Sequence, residues 1–127
     1  MPAKGVAMPA CKATVDFSGV FPVFRIPSAS LPLNCKLLSP PTGVKIAAVS
    51  FSVTSGGAAS PAITSSDGAS FTIPALPAGT KGMLAVAVTG NFGDGFVQVA
   101  EDCTNPTPFL AISDLNEKAS LVHVEVG

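Results

Sequence analysis

The chain contains no tryptophan and no tyrosine. The rings that most often stack on sugars and on unpaired bases are therefore missing, and both ligand classes lose their usual platform. Phe supplies the remaining aromatic surface, and its eight copies fall mostly in strand-like apolar runs that read as core. Charge is scarce as well. Asp, Glu, Lys and Arg make up 12% of the 127 residues, about half the ~25% of an average soluble domain. The seven basic residues are scattered from Lys4 to Lys118 and the net charge is −1. No cluster exists to neutralise phosphates, so nucleic acid is not an expected partner. No apolar run approaches the ~20 residues of a membrane-spanning helix, and no membrane span is expected. The first ten residues lack the uninterrupted hydrophobic core of a secretory signal, so synthesis without Sec export is the expectation.

Reactive chemistry is equally sparse. His123 is the only histidine, and the only cysteines are Cys11, Cys35 and Cys103. None of the three lies in a CxxC or comparable spacing, and a structural zinc site needs four ligands, so no Cys/His metal centre is expected. Three cysteines allow one disulfide in any of three pairings, or three small thiols, buried or half-buried. In the reducing compartment that goes with the absent signal, the thiols are the preferred reading. A Ser-His-Asp site would have to use His123, which alternates with Val122 and Val124 and so points away from the core. Cys103 with His123 as its base has no local support. Glu101 and Asp102 are adjacent, so in an extended segment they face opposite ways and do not form an acid/base pair. Asn91, Asp94, Glu101, Asp102, Asp114 and Asn116 fall in expected loops, where oxygen ligands could hold calcium, but no EF-hand or other ligand spacing appears and solvated turns account for them equally well. No catalytic, cofactor-binding or metal-binding residue is assigned, and the chain is not expected to be an enzyme.

What is present is apolar sequence in short pieces. Apolar residues make up 47% of the chain, and twelve Gly and twelve Pro punctuate it along its whole length. Such a chain is one domain's worth and long enough to bury a core unaided. With so little charge its surface must be Ser, Thr, Ala, Gly and Pro, which suits an assembled particle or an extracellular module. Strands are expected over 13–18, with Val15 and Phe17 on one face; over 20–26, bent or at an edge because of Pro22; and over 33–38. The run 44–54 places Val44, Ile46 and Ala48 on one face, then Val49, Phe51 and Val53 on the other. A β-bulge near Ala47–Ala48 would bring both sets to the core.

Residues 55–70 read as a Ser/Gly/Ala loop. Strands follow over 69–73, with Phe71 and Ile73 inward, and over 83–89, with Leu84, Val86 and Val88 on one face and small residues on the other. A hairpin connection at 90–95 leads to strand 96–100, a loop over 101–108, a short strand 109–112 and a final strand 120–126 with Val122, Val124 and Val126 inward. Residues 111–118 hold the best helical candidate, one turn beginning near Ser113. Two packed antiparallel sheets of seven to nine short strands follow from this pattern. They form a single domain over 13–127, preceded by an apolar N-terminal arm over 1–12.

The segment Ser70-Phe71-Thr72-Ile73-Pro74-Ala75-Leu76-Pro77-Ala78-Gly79-Thr80, leading into Met83-Leu84-Ala85-Val86-Ala87-Val88, resembles the strand–Leu-Pro-Ala-Gly-Thr–strand connection of bacterial and phage immunoglobulin-like modules. The resemblance covers about 20 residues and rests on turn chemistry. It implies an immunoglobulin-like β-sandwich with a structural, adhesive or interaction role, and it carries no functional residues across. A departure from antibody domains is clear, since no Trp is present to pack on an inter-sheet disulfide.

The expected function is a non-enzymatic structural subunit of a larger assembly: a virion, phage-tail, injection-system or filament component. It would work through sheet edges and the arm, which suits addition to a neighbouring subunit. A stand-alone adhesion or carbohydrate-binding module, with a glycan as partner, is the alternative. The expected location is a virion or extracellular assembly.

Overall fold

The structure is a computed structural model and describes residues 11–40, 42–65, 67–90, 95–104, 106–113 and 119–127. Among these, nine strands form two sheets. They are β1 (Thr14–Asp16), β2 (Val23–Ile26), β3 (Leu33–Leu38), β4 (Lys45–Ser55), β5 (Ser70–Ile73), β6 (Lys81–Thr89), β7 (Phe96–Glu101), β8 (Pro108–Ser113) and β9 (Ala119–Val126). One sheet has the order β1-β2-β9-β6-β4 and the other β5-β3-β7-β8. The sheets are antiparallel-rich rather than wholly antiparallel, because β2 runs parallel to β9 from Val23↔His123 to Ile26↔Val126. The described residues contain no α-helix, only a 3-10 turn at Ser28–Ser30. No helix there is long and apolar enough to cross a membrane.

Period-2 alternation builds the core from both layers. Leu84, Val86 and Val88 of β6 and Val122, Val124 and Val126 of β9 are buried from one sheet. Phe71, Ile73, Val97, Val99 and Ile112 are buried from the other. Phe24 of β2 stacks on Phe109 of β8 with ring centroids 4.0 Å apart, so an aromatic pair ties the two layers together. In β4, Ile46, Val49 and Phe51 are buried while Ala47 and Ala48 are both exposed, and the pairing with β6 slips between Ile46 and Ala48. The expected bulge is there, with Ala48 turned to solvent rather than inward. Gly82 has no room for a side chain, since a Cβ would stand 2.5 Å from both the Phe51 ring and the Ser52 carbonyl oxygen.

Several expectations need correction. The 90–95 segment does not join a hairpin, because β6 and β7 belong to different sheets. Residues 91–94 lie outside the described set. The helical turn expected from Ala111 is strand as far as Ser113, since Leu110 and Ile112 continue a buried alternation; 114–118 lie outside the described residues. The strand expected from Val20 begins only at Val23, after Pro22, which has no N–H to give a ladder. Not all Phe are core. Phe17 is 73% exposed and Phe21 and Phe96 are each 61% exposed. Of the N-terminal arm, residues 1–10 lie outside the described residues.

Candidate functional site

Two places on the sandwich concentrate unusual chemistry. The first is at the end of β7. Val97 and Val99 face the core, the same alternation carries Glu101 inward at the strand's end, and Cys103, just beyond it, is buried too. Glu101 is 3% exposed, and among the described residues it is the only charged side chain that is buried. Burial raises its pKa, and the Ala13 backbone N–H, donating to its carboxylate, opposes that shift. This places Glu101 at a buried strand end rather than in the loop expected for it. Asp102 turns the other way, half-exposed, and pairs with Lys36 at 3.2 Å. Its N–H donates to the Asn34 carbonyl at 2.8 Å. Asn91, Asp94, Asp114 and Asn116 lie outside the described residues.

Cys103 is bonded to Cys11 across 92 residues of sequence, with Cα atoms 5.4 Å apart. The preferred reading of three thiols is therefore wrong for this pair, and Cys35 alone is a free, buried thiol. Desolvation, with the nearby negative charges of Glu101 and Asp102, pushes the Cys35 thiol far above its ordinary range. It is an inert core group rather than a nucleophile. Spacing could not reveal the bridge, because Cys11 precedes β1 of one sheet and Cys103 follows β7 of the other, so only the packing of the two layers brings them together. The disulfide fastens the segment 11–13 over Glu101. Beside it opens a cleft of about 480 Å³, with Lys12, Pro32, Asn34, Glu101 and Cys103 in its lining. Leu31–Pro32 on its rim is a cis peptide.

His123 is half-buried on the outer face of β9, against the Phe21 ring at 5.3 Å. Cys103 belongs to the opposite sheet's end and is held in the disulfide, so the two do not form a nucleophile–base pair.

No protein-family model, curated protein or solved structure matches this chain. Its surfaces must be read from their own chemistry.

The second place is apolar. Phe17, Val20, Phe21 and Leu121 are 73%, 92%, 61% and 59% exposed. Phe17, Pro22 and Leu121 line one groove of about 300 Å³, together with Pro108 and Ala111 of β8. Phe21 joins the same face through His123, two residues along β9 from Leu121. Among the described residues, β8 pairs only with β7 and forms one edge of its sheet. The β4 edge differs, because Ile46 N–H donates to the Gly68 carbonyl and Val53 N–H to Ser60 Oγ, so the 56–69 loop covers part of it. The groove, the exposed rings and the β8 edge lie side by side.

Proposed function

We propose that this chain is a non-enzymatic interaction module, immunoglobulin-like in form, that builds into a larger assembly of virion, phage-tail, injection-system or filament type. The observation that carries this reading is the exposed Phe17, Phe21 and Leu121 beside the β8 edge. Single exposed apolar residues are ordinary, but Phe17 and Leu121 meeting in one groove, with Phe21 close by against His123, are the pattern of a contact surface. A free strand edge next to them offers backbone pairing in addition to apolar burial. The low charge of the chain fits a surface meant to be covered.

Mass by light scattering over a wide concentration range tests the reading. The wild-type chain grows in mass with concentration, and the Phe17→Ser, Leu121→Ser double variant stays monomeric while remaining folded. A wild-type monomer at every concentration, in the absence of other proteins, argues against self-assembly. The second reading, a carbohydrate-binding or adhesion module, draws on the cleft of about 480 Å³ at the disulfide, a size within the range of ligand pockets. Binding on a glycan array that Asn34→Ala abolishes would favour it.

A further inference from the structure

We propose that, once its disulfide is reduced, the chain binds one Zn²⁺ ion through Cys11, Glu101 and Cys103, so that this end of the sandwich alternates between a covalent bridge and a metal site. One ligand atom from each of these three residues lies within 4.8 Å of the others. Glu101 ends β7, Cys103 follows two residues on and is also buried, and Cys11 approaches from the segment before β1. Zinc is borderline in softness and accepts thiolate and carboxylate together.

Two features point to a cation rather than to a bridge alone. Glu101 is buried, and no Lys or Arg among the described residues is paired with it. With only the Ala13 N–H as donor, burial disfavours the ionised carboxylate, and a divalent ion would stabilise it where the disulfide does not. The adjoining cleft is lined by Glu101 and Cys103 themselves, so a water molecule can reach a fourth coordination position. Three protein ligands with one open position is an established zinc arrangement. Tetrahedral geometry with bonds of about 2.3 Å sets the two sulfurs roughly 3.8 Å apart, so one must withdraw by about 2 Å on reduction. Cys11 can do this, because it is half-exposed and precedes the first strand, whereas Cys103 is buried.

The chemistry balances. A phosphine and water convert the disulfide into two thiols, and the phosphine leaves as its oxide. On binding, both thiols release their protons to solvent, as does Glu101 when it is protonated, and Glu101 binds as the carboxylate.

Co²⁺ is the spectroscopic stand-in for the test. The full chain is reduced with a phosphine under argon, shown to be folded by its dispersed methyl NMR signals, and titrated with Co²⁺ and then Zn²⁺. The expected result is a thiolate-to-cobalt charge-transfer band with intense tetrahedral d–d absorption, saturating at one equivalent and displaced by Zn²⁺. The oxidised protein gives neither. Cys35→Ala leaves the spectrum unchanged, Cys11→Ser abolishes the two-thiolate intensity, and Glu101→Gln weakens binding at least tenfold. Three results would each overturn the proposal: no charge-transfer band in the reduced, folded chain; a band indifferent to Cys11→Ser; or loss of methyl dispersion on reduction.

Discussion

At the residue scale, two carboxylates illustrate opposite environments. Asp16 is half-exposed, and hydrogen bonds from Ser18 and then from Arg25 hold its pKa down to about 2. Its contribution to stability is present above the ordinary carboxylate value and is lost only as pH falls toward 2. Glu101 runs the other way. Its pKa is raised by burial, so the folded state favours the protonated acid. The penalty of ionising it is absent below the unfolded value, and stability is lost as pH rises through the folded one. In the oxidised protein, Glu101→Gln keeps an acceptor for the Ala13 N–H and removes the ionisation. Its denaturant midpoint is expected to exceed wild type at pH 7 and to converge with it near pH 4. A gain of equal size at both pH values would show that burial of charge is not the cause.

At the element scale, the β4 bulge makes a sharp expectation. Ile46 and Val49 are both buried with two exposed residues between them. Deleting Ala47 restores strict alternation through Ile46, Val49 and Phe51 without moving any pair beyond the bulge, since Ile46↔Val88 and Ala48↔Ala87 are already adjacent on β6. Deleting Ser50 instead makes Val49 and Phe51 neighbours and turns one of them out of the core. The Ala47 deletion is expected to cost within about 1 kcal/mol and the Ser50 deletion about 2–4 kcal/mol, as for loss of a large buried side chain. Urea denaturation compares them directly.

That bulge was legible because a slip in a period-2 pattern has one simple structural reading. The inward faces of β5, β6 and β9 were legible for the same reason. Sheet membership was not. Alternation says which side chain turns inward but not which layer it comes from, so the connection from β6 to β7 looked like a hairpin. Glu101 was within reach, because Val97, Val99, Glu101 and Cys103 share one parity. A charged residue at the end of such a series reads as the start of a loop, and only tertiary burial corrects it. The apolar cluster was hidden for a related reason. Phe17 shares the parity of Val15, yet β1 ends at Asp16 and the ring is left in solvent.

At the scale of the whole molecule, two features hold the sandwich: the apolar core between its layers and the bridge that closes 92 residues of chain. Constraint of the unfolded chain by a loop of that length is worth about 4–5 kcal/mol. Cys11→Ser is therefore expected to lower the unfolding free energy by that amount while leaving the circular dichroism spectrum rich in β-structure. Loss of the fold altogether would mean that the core is too weak to stand without the bridge. The remaining question at this scale is which surface does the work. Residue-resolved amide hydrogen exchange, measured at dilute and at high protein concentration, asks it most directly. The account predicts protection gained with concentration at residues 17–22 and along β8, where the exposed rings and the free edge meet. Exchange that does not change with concentration, or protection gained only along the β4 edge, would contradict it.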